Sequence, residues 1–148
     1  MEKTLFGAYA INLNKAYMKQ RYPDAKVVAK SWIHDHALAF QAGVATLKPA
    51  EGYSVPVVIW EMGEKEITLL DKFKSVRTGT FKKHTMELEV CGEIKPVTVY
   101  TLPKQNQARE PEDSYLATIA EGYADFNLPI DILNEAVKQA KYPWYATS

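Results

Sequence analysis

The chain has 148 residues, 47% hydrophobic and 11% aromatic, and its 18 basic and 18 acidic side chains cancel to a formal net charge of zero. That size buries a core without covalent staples, that composition excludes a disordered chain, and zero net charge offers no global attraction to nucleic acid or an acidic membrane surface. One cysteine, Cys91, excludes an internal disulfide and a cysteine-built metal site, which fits a reducing compartment.

No apolar run approaches the roughly 18 residues of a membrane span. The opening Met1-Glu2-Lys3 leads straight into a strand pattern with no apolar signal core. The expectation is one domain over residues 1–148, cytoplasmic, without a membrane or nucleic-acid partner.

Thr4 to Tyr9 is apolar on both alternating sets, the pattern of a strand buried on both faces. Asn12 and Asn14 then stand where an N-cap belongs, ahead of a helix expected over residues 13–21, with Leu13, Ala16, Tyr17 and Gln20 on one face and Pro23 beyond its end. A strand running into a helix start aims backbone N–H groups at one spot, a cradle for a carboxylate, carbonyl or phosphate. The same pattern also fits a plain core strand followed by a capped helix.

Residues 26–33 read as a strand, His34-Asp35-His36 as a polar corner, and residues 37–41 as a second short strand. Gly43, Pro49 and Gly52 punctuate a stretch expected to be rich in turns. Residues 54–62 form a strong strand pattern, with Pro56 marking an edge or bulge near its start. A helix is expected over 64–73. Residues 85–90 alternate strictly, Cys91-Gly92-Glu93 reads as a hairpin turn, and residues 97–102 as the returning strand.

Residues 103–111 are polar and bounded by prolines, a loop. Two amphipathic helices close the chain. Tyr115, Ile119, Gly122, Tyr123 and Phe126 form one stripe, and Leu133, Ala136, Val137 and Ala140 the other. Hairpins mixed with strands separated by helices predict an α+β domain, a small mixed β-barrel with packed helices. The aromatic run Tyr142-Pro143-Trp144-Tyr145 either folds back or caps a second copy, so an oligomer through this end is one expectation.

Six runs, in order, resemble the gamma-glutamylcyclotransferase-like family, and its gamma-glutamylamine cyclotransferase branch in particular. They are FGAYAINLN, RYPDAKVV, GVATLKPAEGYSVPVVIWEM, LLDKFKSV, VTVY and EDSYLATIAEGYADFNLP. The resemblance implies a small mixed barrel with a central pocket and a cyclisation that releases 5-oxoproline. In that reaction the substrate's amine attacks its own gamma-carbonyl, with no metal or organic cofactor. It needs a cradle for the reacting carbonyl and a carboxylate to take the proton.

Where the family cradle reads Tyr-Gly-Ser-Asn, this chain has Tyr9, Ala10, Ile11 and Asn12. Where the family places its acid-base Glu within Tyr-Glu-Gly, this chain has Phe73, Lys74 and Ser75. A downstream Tyr-Arg-like pair is Phe81-Lys82, while Pro111 and Tyr115 match the family's later pocket segment. A lysine has an ordinary pKa near 10.4 and is a cation at pH 7 unless burial lowers it. The expected site is therefore a pocket of Tyr9, Ala10, Ile11, Asn12, Lys74, Phe81 and Tyr115 that binds an anionic small molecule without turning it over.

Two other readings stand beside it: an active cyclotransferase with a relocated acid such as Glu61, and a partner-binding protein whose pocket has collapsed. Lys72, Arg77, Lys82 and Lys83 read as a solvated basic face around Lys74. His34 and His36 share a face of an extended segment without a third ligand, so no metal is expected. Cys91 sits in a turn without a histidine motif, so no thiol nucleophile is expected.

Overall fold

Phe6, Gly7 and Ala8 are buried because their strand, β1 (Thr4–Ala8), is covered on both sides. It runs antiparallel to β3 (Val44–Met62) and parallel to β5 (Glu93–Thr101). A Cβ added at Gly7 would lie 3.1 Å from methyl groups of Val57 and Val97, so the glycine lets its neighbours close over the strand. The computed structural model describes residues 3–77, 79–103 and 107–141.

The largest departure from expectation is the long hairpin of β2 (Lys26–Gln41) and β3. Two short strands and a turn-rich stretch were expected there. Instead Ala42 and Gly43, with φ of 52° and 79°, make a two-residue turn between two continuous strands. The polar corner is a bulge: Asp35 adopts φ 59°, the register shifts between His34 and His36, and Asp35 Oδ1 accepts the Gly52 N–H at 3.1 Å. Gly52 and Asp35 thus mark a paired irregularity within strands, a signal that reads as turns in one dimension. Pro56 lies in the part of β3 before its pairing with β1 begins at Val58, so its missing N–H interrupts no β1 ladder.

The helix α2 (Glu64–Phe73) has the expected bounds. The strands β4 (Lys82–Val90) and β5 pair around Cys91-Gly92, and Glu87 and Glu89 face water while Leu88 and Val90 are buried, as the alternation predicts. The helix α1 (Lys15–Arg21) starts later than expected, after a 3-10 turn over Ile11–Leu13. That shift changes its buried face: Leu13 and Met18 are fully buried, whereas Ala16 and Gln20 are exposed.

The helices α3 (Asp113–Asp125) and α4 (Ile130–Lys141) bury Ile119, Gly122 and Tyr123, and Leu133, Ala136 and Ala140. A Cβ at Gly122 would lie 2.7 Å from Leu13 Cβ and 2.9 Å from the Asn14 nitrogen. The absence of a side chain there is what lets α3 press on the 3-10 turn. The 103–111 loop is tied to the long hairpin, with Ala42 N–H donating to the Gln107 carbonyl at 2.9 Å.

The described residues form a mixed α+β fold with a five-stranded sheet in the order β2-β3-β1-β5-β4. It is not closed, so the expected barrel describes the curl of the sheet only loosely. The outer strands β2 and β4 meet through side chains: Ser31 Oγ donates to the Glu89 carbonyl at 2.6 Å without a ladder between them. No described helix is long and apolar enough to cross a membrane. The aromatic run at 142–145, and with it the expected oligomer contact, lies outside the described residues.

Candidate functional site

The end of β1 delivers Tyr9 and Ala10 to the 3-10 turn, and the turn buries Asn12 at 5% exposure. Asn14 begins α1: its Oδ1 accepts the Tyr17 N–H at 2.9 Å, and its amide donates to the Thr118 carbonyl and to Glu121 Oε1. The Lys15 N–H donates to Asp125 Oδ2 at 2.9 Å. Donors at the start of α1 are therefore engaged by the chain itself. The start of α1 is thus not the open cradle expected of a helix start; Tyr9, Ala10 and Asn12 lie before it, on the strand end and the 3-10 turn.

Opposite that turn, α2 ends at Lys74. The Ser75 N–H donates to the Lys72 carbonyl and the Val76 N–H to the Asp71 carbonyl, with Ser75 at φ 52°. These two bonds around a left-handed residue are a Schellman stop, and it fixes Lys74 as the C-cap of the helix. The Lys74 side chain turns inward, with Nζ 4.9 Å from the centre of the Phe81 ring. By contrast Lys72, Arg77, Lys82 and Lys83 are exposed, the solvated face that was expected.

Between these elements lies a hollow with a volume of about 20 Å³. It is lined by Tyr9, Ala10 and Asn12 from the turn, Lys74 and Phe81, Tyr100 from β5, and Tyr115 from α3, over a floor of β1. Six of the expected site residues thus meet. Ile11 does not join them; it is half-buried against the core, and its bulk leaves the hollow unfilled. Glu61 does not join them either. It sits on β3 in register with Leu5 and Lys26, and no described lining residue carries a carboxylate.

Tyr100 escaped the sequence reading because only the parallel pairing of β5 with β1, a non-local event, brings it here. Its hydroxyl donates to Asp71 Oδ1, and Asp71 also pairs with Lys83 at 2.9 Å. Asp71, the acid one turn before Lys74, is therefore occupied by other partners. Tyr9 donates to the Tyr100 carbonyl at 2.6 Å. Tyr115 accepts the Ala45 N–H at 3.1 Å.

Burial governs the charges. It holds the Lys74 ammonium down at a pKa of about 8, from 10.5, with no acid among the described lining residues to restore it. The residue as a whole is only half-buried, so the burial belongs to its charged end. Burial also pushes the Tyr9, Tyr100 and Tyr115 phenols up, and all three stay neutral at any physiological pH. Lys74 is then the charged group of the described lining.

A wider groove of about 660 Å³ runs along the seam between β2 and β4 and shares no lining residue with the hollow. Its size reflects the open sheet rather than converging chemistry. Lys30 Nζ already donates to the Phe126 carbonyl, and Ser31 to Glu89. His34 and His36 lie along it, but no described cluster of three His, Cys, Asp or Glu side chains is placed to hold a metal.

Comparison with known proteins places this geometry. Residues 54–135 match the model of the AIG2-like family. A gamma-glutamylcyclotransferase from Bos taurus is 25% identical over 142 residues, spanning 88% of this chain and 75% of that protein. A solved structure of a gamma-glutamyl cyclotransferase superimposes with a TM-score of 0.79 at 22% identity, over 95% of this chain and 88% of that one. An uncharacterized protein from Homo sapiens superimposes with a TM-score of 0.80, also at 22% identity, over 96% and 88%. The expected gamma-glutamylcyclotransferase-like fold holds.

Proposed function

The chain belongs to the AIG2-like family, and within it we propose that the chain binds a small anionic molecule through Lys74 and does not cyclise it. One observation carries this reading: the ammonium of Lys74 lies inside the hollow, where no described residue supplies a carboxylate. Formation of 5-oxoproline from a gamma-glutamyl compound needs an acceptor for the proton of the attacking amine. With a pKa of about 8, Lys74 is roughly nine-tenths protonated at pH 7, so only about a tenth of it carries the lone pair that a proton acceptor needs. The same charge, unpaired and desolvated, attracts a carboxylate or phosphate oxygen more strongly than a surface lysine does.

The hollow admits one group of about the size of a water molecule. A carboxylate oxygen of the ligand enters beside Lys74, and the rest of the ligand lies toward Phe81 and Tyr115 at its rim. Glutarate, a five-carbon dicarboxylate, and a gamma-glutamyl amine are the probes. The expected result is a rise in thermal stability with either probe, about 2.7 kcal/mol at a hundred times the dissociation constant, and no 5-oxoproline. Release of 5-oxoproline that disappears in Glu61→Gln would overturn the reading in favour of a relocated acid.

The small volume favours a second reading, a partner-binding protein whose hollow stays closed. Under that reading neither probe changes stability.

A further inference from the structure

The hollow brings together an amine without a counterion, room for one small molecule and two hydrogen-bond donors with capacity to spare. Asn12 Nδ2 has the Met18 sulfur as its partner, at 3.3 Å, and a thioether is a weak acceptor. The Tyr115 oxygen accepts from Ala45, and its proton remains to be donated. Both residues line the hollow with Lys74. No described carboxylate lines it, and the nearest acid on α2, Asp71, is taken by Tyr100 and Lys83.

We infer that Lys74 is a carbon dioxide site, its free amine forming a carbamate held by Asn12 and Tyr115. The nitrogen lone pair attacks the carbon, forming the N–C bond, while one C=O electron pair moves onto oxygen. A proton then leaves nitrogen for solvent, so that R–NH2 and CO2 give R–NH–COO⁻ and H⁺. No oxidant, metal or further reactant is needed.

Several features favour this step at Lys74 over the exposed lysines. The attacking species is the neutral amine, and burial makes it available near pH 8, whereas an ordinary lysine is a cation there. Carbon dioxide is uncharged and small, so one end of it enters a hollow of about 20 Å³ lined by Phe6, Ala8 and Phe81 at little desolvation cost. The product is a carboxylate that would meet no like charge in the described lining, where Tyr9, Tyr100 and Tyr115 stay neutral, and Asn12 and Tyr115 would supply the hydrogen bonds that a buried anion requires. The carbamate gives the hollow a proton acceptor of a kind its own side chains lack.

The inference rests on the proposal above only in requiring that the hollow admit a small guest, and the pH dependences of the two differ in sign. An anion held by the ammonium is lost as pH rises through about 8, whereas the carbamate is gained. The experiment is carbon-13 NMR of the full chain in 13C-bicarbonate between pH 7 and 9, with glutarate-induced thermal shift measured in parallel. The expected result is a carbamate resonance that grows with pH and is lost in Lys74→Arg and in Lys74→Met, distinct from that of the chain's α-amine, which both variants keep. The arginine keeps the cation, but its guanidinium does not deprotonate in this range.

A spectrum from which neither variant loses a resonance assigns the signals to other amines and overturns the inference. Absence of any resonance while glutarate still stabilises the protein overturns it and leaves the anion-binding proposal standing. Absence of both effects removes the two together.

Discussion

The Lys74 ammonium stands 4.9 Å from the centre of the Phe81 ring, and no described acid shares the hollow with it. An aromatic face offsets part of a cation's lost hydration, about 1–2 kcal/mol in a desolvated site. It does so far less well than a carboxylate. The lysine is thus held in a state that costs stability, which makes it the most informative residue to change.

Replacing it with an apolar side chain of similar length removes that cost. The folded pKa of about 8 lies below the unfolded 10.5, so the unfolded chain binds the proton more tightly. Lys74 therefore destabilises the fold below pH 8, and the penalty fades as pH rises from 8 to 10.5. Two and a half units correspond to about 3 kcal/mol. Lys74→Met is expected to be more stable than the parent by up to that amount at pH 7, with the gap closing by pH 10.5. Urea unfolding of both proteins across that range measures it.

The helix α3, which carries Tyr115 to the hollow, presses on the 3-10 turn at Gly122. Alanine is ordinarily the better helix former by about 1 kcal/mol. Here its Cβ would meet Leu13 Cβ and the Asn14 nitrogen at 2.7 and 2.9 Å, and backbone cannot step aside as a flexible side-chain tip can. Gly122→Ala is expected to lose about 1–3 kcal/mol, and to weaken glutarate binding by displacing Asn12. Calorimetry and a thermal-shift titration of the same variant read the two effects.

Asn14 secures the other side of the same contact. It is 2% exposed, caps α1 through Tyr17, and reaches α3 through Thr118 and Glu121. Asn14→Ala forfeits the cap and the bonds that tie it to the part-buried Thr118 carbonyl and to Glu121. The expected loss is about 2–3 kcal/mol in chemical unfolding. Asn14→Asp keeps the acceptor for Tyr17 but sets a second carboxylate beside Glu121, so it is expected to recover less than half of the loss.

Much of this was legible in the chain. Local signals carried α2, the β4–β5 hairpin and the two closing helices, because period, caps and turn residues agree there. The runs from FGAYAINLN to EDSYLATIAEGYADFNLP carried the family, and the position of Lys74 within LLDKFKSV marked the altered site.

What was not legible depended on contacts between distant residues. Pro49 and Gly52 read as turns, because the bulge at Asp35 that Gly52 bonds lies 17 residues away. Ile11 was placed in the site by its position between Ala10 and Asn12, yet the 3-10 turn rotates it away. Tyr100 gave no local sign of its place in the lining. Glu61 sits beside a buried Trp60 in sequence, and the register of β3 carries it away from the hollow.

The central claim is that the hollow holds an unpaired Lys74 ammonium ready for an anion. The most direct measurement is the NMR titration of the Lys74 side-chain resonance, in carbonate-free buffer, with and without glutarate. The account predicts a midpoint near 8 in the free protein and a rise toward the ordinary lysine value when the carboxylate stabilises the charged form. A midpoint near 10.5 that glutarate does not move would contradict it.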